Sequence, residues 1–248
     1  MAKNLLTRTI LAISLVNGLA GLARAADGPP ADTKPWKNNT EASVVSTNGN
    51  SKATTTSIKD TFNYKWTKTG LEINGAGLGS SSGNQVTAEQ YLGNEKVTYN
   101  YTERNYVYQK FGWDKNRFAG IRNRWDTSAG IGRILLDFAN DKLNGEVGGG
   151  YINEERSQAA RNEFASGRVY SKYVHTFSAT AFFSQDAEYL HNFKNSDDYR
   201  LNTETALTAA LSTHLSLKTS FVWNRLGKPA PGIGKDDTKV IAGLIITY

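Results

Sequence analysis

The side chains that could do chemistry in this 248-residue chain are few in kind. Cysteine is absent, which removes disulfides and thiolate metal ligands at once. The only imidazoles belong to His175, His191 and His214. His191 precedes a polar run carrying Asp197 and Asp198, and a histidine beside carboxylates can activate water as a general base. A stretch as rich in Asn, Asp and Ser as 192–199 is also the composition of a solvated turn, and His175 and His214 fall in short polar connections. Two acidic pairs, Glu154-Glu155 and Asp236-Asp237, could meet a divalent cation. Neither has the oxygen-ligand spacing of a calcium loop, and solvated acidic turns are the simpler reading. Gly148-Gly149-Gly150 precedes no helix start, so it is not a phosphate loop; within a strand such glycines mark bends or close backbone approach. No catalytic residue, cofactor site or metal site is assigned.

The remaining charges carry a pattern. Glu41, Lys59, Lys65, Glu72, Lys96, Arg122, Arg124, Asp126, Glu146, Asp186, Glu188, Arg200, Glu204 and Lys218 sit on the polar side of segments whose other side is apolar. The alternation has a period of two, the period of a strand. Ile58, Phe62, Tyr64 and Trp66 oppose Ser57, Lys59, Thr61, Asn63 and Lys65; Leu215, Leu217, Phe221 and Trp223 oppose Ser216, Lys218, Ser220 and Asn224. Twelve such segments are predicted, at 38–47, 53–66, 71–79, 87–101, 105–113, 121–135, 143–153, 167–174, 177–190, 200–211, 215–224 and 239–248. The fifth and eighth alternate poorly. Most are long enough to cross a bilayer when tilted.

The connections suggest which architecture uses these strands. After even-numbered segments they are tight, as at 67–70, 102–104, 140–142, 175–176 and 212–214. After odd-numbered ones they are mostly longer and rich in Gly, Asn, Ser and Pro, as at 114–120, 153–166, 192–199 and 225–237. Short turns on one rim and long loops on the other are the asymmetry of an outer-membrane β-barrel, with the short side periplasmic. Aromatics near segment ends (Tyr64, Trp66, Tyr99, Tyr101, Trp113, Trp223 and Tyr248) fit interfacial girdles. The negative mean hydropathy of −0.49 is compatible with this, because polar and apolar residues alternate along each strand.

Residues 1–25 read as an export signal: a basic lead at Lys3 and Arg8, the apolar run TILAISLV at 9–16, and a small-x-small site at Ala23-Arg24-Ala25. Residues 26–37 are a Pro-rich, flexible periplasmic lead, and 38–248 are the barrel domain. Loss of the leader removes Lys3, Arg8 and Arg24 and halves the net charge of +6, which leaves nothing like a nucleic-acid-binding face.

The chain ends KVIAGLIITY, where Val240, Ala242, Leu244, Ile246 and Tyr248 share one face. A closed barrel needs its last strand to pair fully and to stay apolar on its lipid side to the end. The run Val240 to Tyr248 also resembles the C-terminal signal read by the bacterial barrel-assembly machinery. It has a terminal aromatic, Ile246 two residues before it and Gly243 five before it; it departs in carrying Ile241 and in ending on Tyr. Several further stretches, SVVSTNGNSKATT at 43–55, RFAG at 117–120, SAGIGRILLD at 128–137, GEVGGGYINEE at 145–155 and DDYRLNTET at 197–205, resemble the salt-induced outer-membrane protein family of bacteria. The resemblance implies an outer-membrane barrel with a link to salt or osmotic response, and supplies no catalytic residue.

The expectation is therefore a non-enzymatic, all-β transmembrane barrel of twelve antiparallel strands in the bacterial outer membrane. Its partners would be lipid, lipopolysaccharide and the assembly machinery. A lumen narrower than that of a general porin, with charges of both signs, could be filled by interlocking ion pairs and serve a structural role. Two alternatives are a narrow selective pore for small polar solutes and a hydrolase at the external mouth.

Overall fold

The structure, a computed structural model, describes residues 34–48, 53–82, 85–117, 120–157, 161–230 and 232–248. Signal segment 1–25 and most of lead 26–37 lie outside these residues. Twelve strands follow one another: β1 (Trp36–Asn48), β2 (Ala53–Lys65), β3 (Thr69–Ser82), β4 (Gln85–Asn100), β5 (Asn105–Asn116) and β6 (Ile121–Asp137). The second half comprises β7 (Asp141–Arg156), β8 (Asn162–Ser178), β9 (Ala181–Asn192), β10 (Arg200–Ala210), β11 (Leu215–Leu226) and β12 (Asp236–Thr247). Each pairs antiparallel with its sequence neighbours, and β1 pairs with β12 to close the barrel. The closing register runs from Asn39 opposite Thr247 to Asn48 opposite Thr238. Tyr248 extends the ladder by donating its N–H to the Asn38 carbonyl at 2.9 Å. The apolar C-terminus is thus the seam that removes the last open edge.

Burial is inverted relative to a water-soluble domain. Side chains shielded from solvent include Glu146, Glu154, Arg168, Asn192, Asp198, Arg200 and Lys239, whereas Ile58, Ile73, Ile131, Val147, Val169, Leu207, Leu217, Phe221 and Val240 are exposed on the outer face. An exposed apolar band of this extent marks a surface made for lipid. Aromatic rings border it at both ends. Trp66, Tyr99, Tyr101 and Tyr248 lie at the end holding the chain terminus, and Tyr91, Trp125, Tyr151 and Tyr189 lie toward the opposite end, where β3–β4, β7–β8 and β9–β10 are joined. Trp113 and Trp125 face each other across β5 and β6 with centroids 6.0 Å apart.

Two sequence expectations need correction. The predicted loop 153–166 is mostly strand: β7 runs on to Arg156 and β8 starts at Asn162, with Asn153 opposite Glu163. Ladder hydrogen bonds form as well in polar sequence beyond the lipid, so polarity does not end a strand. The turn expected at His175-Thr176 likewise lies inside β8, and the chain reverses at Ala179-Thr180. As a result only the loops 193–199 and 227–235 are much longer than the turns of the opposite rim, which occupy 66–68, 101–104, 138–140, 179–180 and 211–214.

Glycines in β6 and β7 make room for the interior. A Cβ on Gly132 would fall 2.2 Å from the Tyr106 ring, one on Gly148 would fall 2.4 Å from the Tyr108 hydroxyl, and one on Gly130 would meet the Val147 carbonyl at 2.2 Å. The SAGIG and VGGGY runs therefore provide a floor on which two inward tyrosines of β5 lie flat.

Candidate functional site

The inward charges are brought together in three groups along the barrel axis. The middle group centres on Arg168 of β8, only 4% exposed. Its Nη1 donates to Glu146 Oε2 of β7 at 2.8 Å and its Nε to Glu188 Oε1 of β9 at 2.6 Å. From the far wall, Lys110 of β5 reaches the same Glu188 oxygen at 3.1 Å, and Lys96 of β4 reaches Glu146. The Tyr106 hydroxyl donates to Glu146 at 2.8 Å, and Asn202 Nδ2 of β10 donates to Glu188 at 3.3 Å. The Arg168 guanidinium lies 5.1 Å from the Tyr108 ring centre and 4.9 Å from that of Tyr170. A planar fork that binds two carboxylates and stacks on two rings is held in one place.

Arg168 ties its two neighbouring strands, β7 and β9, together along the wall, whereas Lys110–Glu188 and Lys96–Glu146 join strands that are not neighbours in the sheet and so reach across the lumen. A cavity of about 240 Å³ lies on the loop side of this group and one of about 600 Å³ on the side of the chain terminus. Lys110, Arg168, Glu188, Asn94 and Asn202 line both, and so lie at the junction between them.

Toward the loop end, Glu154 is fully buried and shared by three arginines. Arg200 Nη2 lies 2.6 Å from its Oε2, Arg124 Nη1 lies 3.5 Å from the same oxygen, and Arg156 binds Oε1. Arg124 also pairs with Asp114 at 2.6 Å, and Arg156 with Asp198 at 2.9 Å. Asn192 Nδ2 donates to Asp198 at 3.1 Å, and Arg156 Nη1 donates to the Lys228 carbonyl at 2.6 Å, which ties both long loops into the mouth. Glu154 was expected in a solvated acidic turn; it is instead the centre of this cluster, because β7 extends to Arg156 and keeps it on the inward side. Toward the other end, Lys218 bridges Glu204 at 2.6 Å and Glu41 at 3.3 Å, and Lys59 and Asp186 line the same large cavity.

Of the residues expected to line the lumen, Lys59, Glu72, Lys96, Arg124, Asp126, Glu146, Glu188, Arg200, Glu204 and Lys218 stand on the inner face, as shown by the cavities they line or the pairs they make. Lys65 is exposed at the rim of the chain-terminus end. Arg122 does not line the lumen. Its side chain is 67% exposed and pairs with the exposed Glu155 at 3.2 Å, because the irregular register between Ile121 and Asn123 turns it outward. Sequence reasoning missed Lys110, Arg156 and Arg168, and read Glu154 and Asp198 as residues of solvated turns.

The residues weighed for hydrolysis are separated. Asp198 faces inward, held by Arg156 and Asn192, whereas the His191 ring packs edge-on against Phe193 at 5.3 Å and meets the Tyr189 hydroxyl at 3.4 Å. Among the described residues no group of three or more His, Asp or Glu side chains is arranged to hold a metal ion.

Closed antiparallel strands, a lipid-facing exterior and a charged lumen define a transmembrane-type β-barrel. The chain belongs to the family described as Protein of unknown function, DUF481, whose model matches residues 40–248. It is 26% identical over 231 residues to the uncharacterized protein YdiY of Escherichia coli (strain K12), covering 88% of this chain and 90% of that one. Among solved structures it is similar in fold to the NanC porin, with a TM-score of 0.58 and 7% identity over 84% of this chain and 98% of that one. It is also similar to the translocator domain of the autotransporter NalP from Neisseria meningitidis, with a TM-score of 0.52 and 11% identity over 99% and 96% of the two chains.

Proposed function

We propose that this protein is a non-enzymatic barrel of the bacterial outer membrane, exported with a cleaved leader at 1–25, whose lumen is closed at rest by its central ion-pair partition. The lumen-spanning pairs Lys110–Glu188 and Lys96–Glu146, whose carboxylates Arg168 holds at the wall, are the observation that carries the reading. A hydrated ion crossing the partition would have to separate buried pairs, and removing one partner from such a pair costs about 3–5 kcal/mol. In this orientation the chain terminus faces the periplasm, loops 193–199 and 227–235 face outward toward lipopolysaccharide, and Val240–Tyr248 serves as the assembly signal. A stiff, closed cylinder suits a structural role under salt stress, the role implied by the resemblance to salt-induced outer-membrane proteins.

Planar-bilayer recording of the refolded protein tests this. The expected trace has no unitary steps; steady steps from the unaltered chain would overturn the closed reading. Growth at high salt with and without the gene tests the stress role. A second reading, a narrow pore for small polar solutes, draws on the polar cavities on both sides of the partition.

A further inference from the structure

The loop-side cavity has a feature that the ion-pair groups do not explain. Arg200 is 3% exposed and lines this cavity, yet its Nε and Nη1 have no hydrogen-bond partner among the described residues; Nη2 is engaged by Glu154, and the guanidinium lies 5.5 Å from the Phe164 ring centre. Ser128 Oγ is buried in the same wall and also lacks a partner. Buried donors left without partners are rare, and a guanidinium that shares its one carboxylate with two other arginines is short of negative charge. The neighbouring arginines are better supplied, since Arg124 has Asp114 and Arg156 has Asp198. The wall carries Lys110, Arg124, Arg168, Arg200, Lys235 and Lys239 against fewer carboxylates.

We propose that the loop-side cavity is a binding site for a small soluble oxyanion, phosphate or carboxylate in class, drawn by the cationic wall and held by the unpartnered Arg200 nitrogens and Ser128 hydroxyl, which are buried and turn toward the cavity to reach it. Arg200 supplies donors and charge in a fixed plane, the geometry that matches an oxyanion edge. The volume of about 240 Å³ admits a small solute with a few waters, a water taking about 30 Å³, and excludes a polymer. Lys235, exposed on the 227–235 loop at the edge of the cavity, adds charge on the way in. The barrel wall separates the cavity from the acyl chains, so the ligand is a free solute rather than a lipid headgroup. The site stands whether or not the partition below it ever opens.

The test is calorimetric titration of the refolded full-length protein in neutral detergent, with inorganic phosphate at constant ionic strength and chloride as the control. Saturable phosphate binding is expected. Arg200→Gln should weaken it by about tenfold or more, the scale of a lost hydrogen bond to a charged group. Lys235→Ala, at an exposed position that leaves folding intact, should weaken it about two- to fivefold, the scale of one charge acting near the surface. Heat equal to the chloride control, or unchanged affinity in Arg200→Gln, would overturn the proposal. Should Arg200→Gln fail to fold, unchanged affinity in Lys235→Ala would overturn it equally. Displacement of phosphate by micellar lipid phosphates would reassign the site to a headgroup and overturn the soluble-ligand claim.

Discussion

Replacing Arg168 with Met removes the group that holds the partition together, and the consequence can be worked from its contacts. The substitution keeps an unbranched apolar stem against Tyr108 and Tyr170 but deletes bonds of 2.8 Å to Glu146 and 2.6 Å to Glu188. Both carboxylates keep a partner. Glu146 retains Lys96 and the Tyr106 hydroxyl, and Glu188 retains Lys110 and Asn202. The loss should therefore fall at the low end of the range for breaking a buried pair, about 3 kcal/mol. That is roughly a hundredfold change in the folded-to-unfolded ratio. In urea, with a slope of about 1–3 kcal/mol/M, the midpoint should drop by at least about 1 M. Tryptophan fluorescence and heat-modifiable gel migration would follow the transition, and planar-bilayer recording of the folded fraction should show unitary steps absent from the parent. A variant as stable as the parent and equally silent would refute the claim that Arg168 holds the lumen-crossing pairs in their closed arrangement.

Other outcomes follow from the same geometry. Gly130→Val would drive a side chain into the Val147 carbonyl and the Tyr108 ring, and should lose at least about 3 kcal/mol or fail to assemble, whereas Gly75→Ala, with open space at its Cβ, should stay within about 0.5 kcal/mol by urea titration in lipid vesicles. Leu207→Lys places a charge on the outward apolar band and should lose about 2–4 kcal/mol if the site lies near the bilayer midplane; a neutral result in vesicles would deny that this face meets lipid.

Much of this architecture was legible because period-two alternation is imposed separately on every strand by having lipid on one side and water or charge on the other. All twelve strands and their order could be read, including the closing strand. What blurred was the inner face wherever it is aromatic. β5 and β8 alternate poorly because Tyr106, Tyr108 and Tyr170 point inward, where the Tyr106 hydroxyl and the Tyr108 and Tyr170 ring faces serve the charges. Lys110 and Arg168, the two residues that complete the partition, sit on those same strands. Their spacing from the tyrosines, Tyr108 to Lys110 and Arg168 to Tyr170, is the two-residue interval that could have revealed them. Arg122 went wrong for a different reason: a register irregularity changes the face of a residue and leaves no local mark in composition. The Glu154 cluster was hidden because its polar surroundings resemble a loop until the ladder hydrogen bonds are known.

The central claim is that the middle of the barrel separates two compartments, and the absence of native cysteine makes a clean test available. Gln90→Cys on the loop side and Thr208→Cys on the chain-terminus side each line only one of the two cavities. In protein inserted unidirectionally into vesicles, a membrane-impermeant thiol reagent should modify Gln90→Cys only from the loop side and Thr208→Cys only from the opposite side. Modification of either cysteine from both sides would mean the lumen is open through its centre, and the partition described here does not close it.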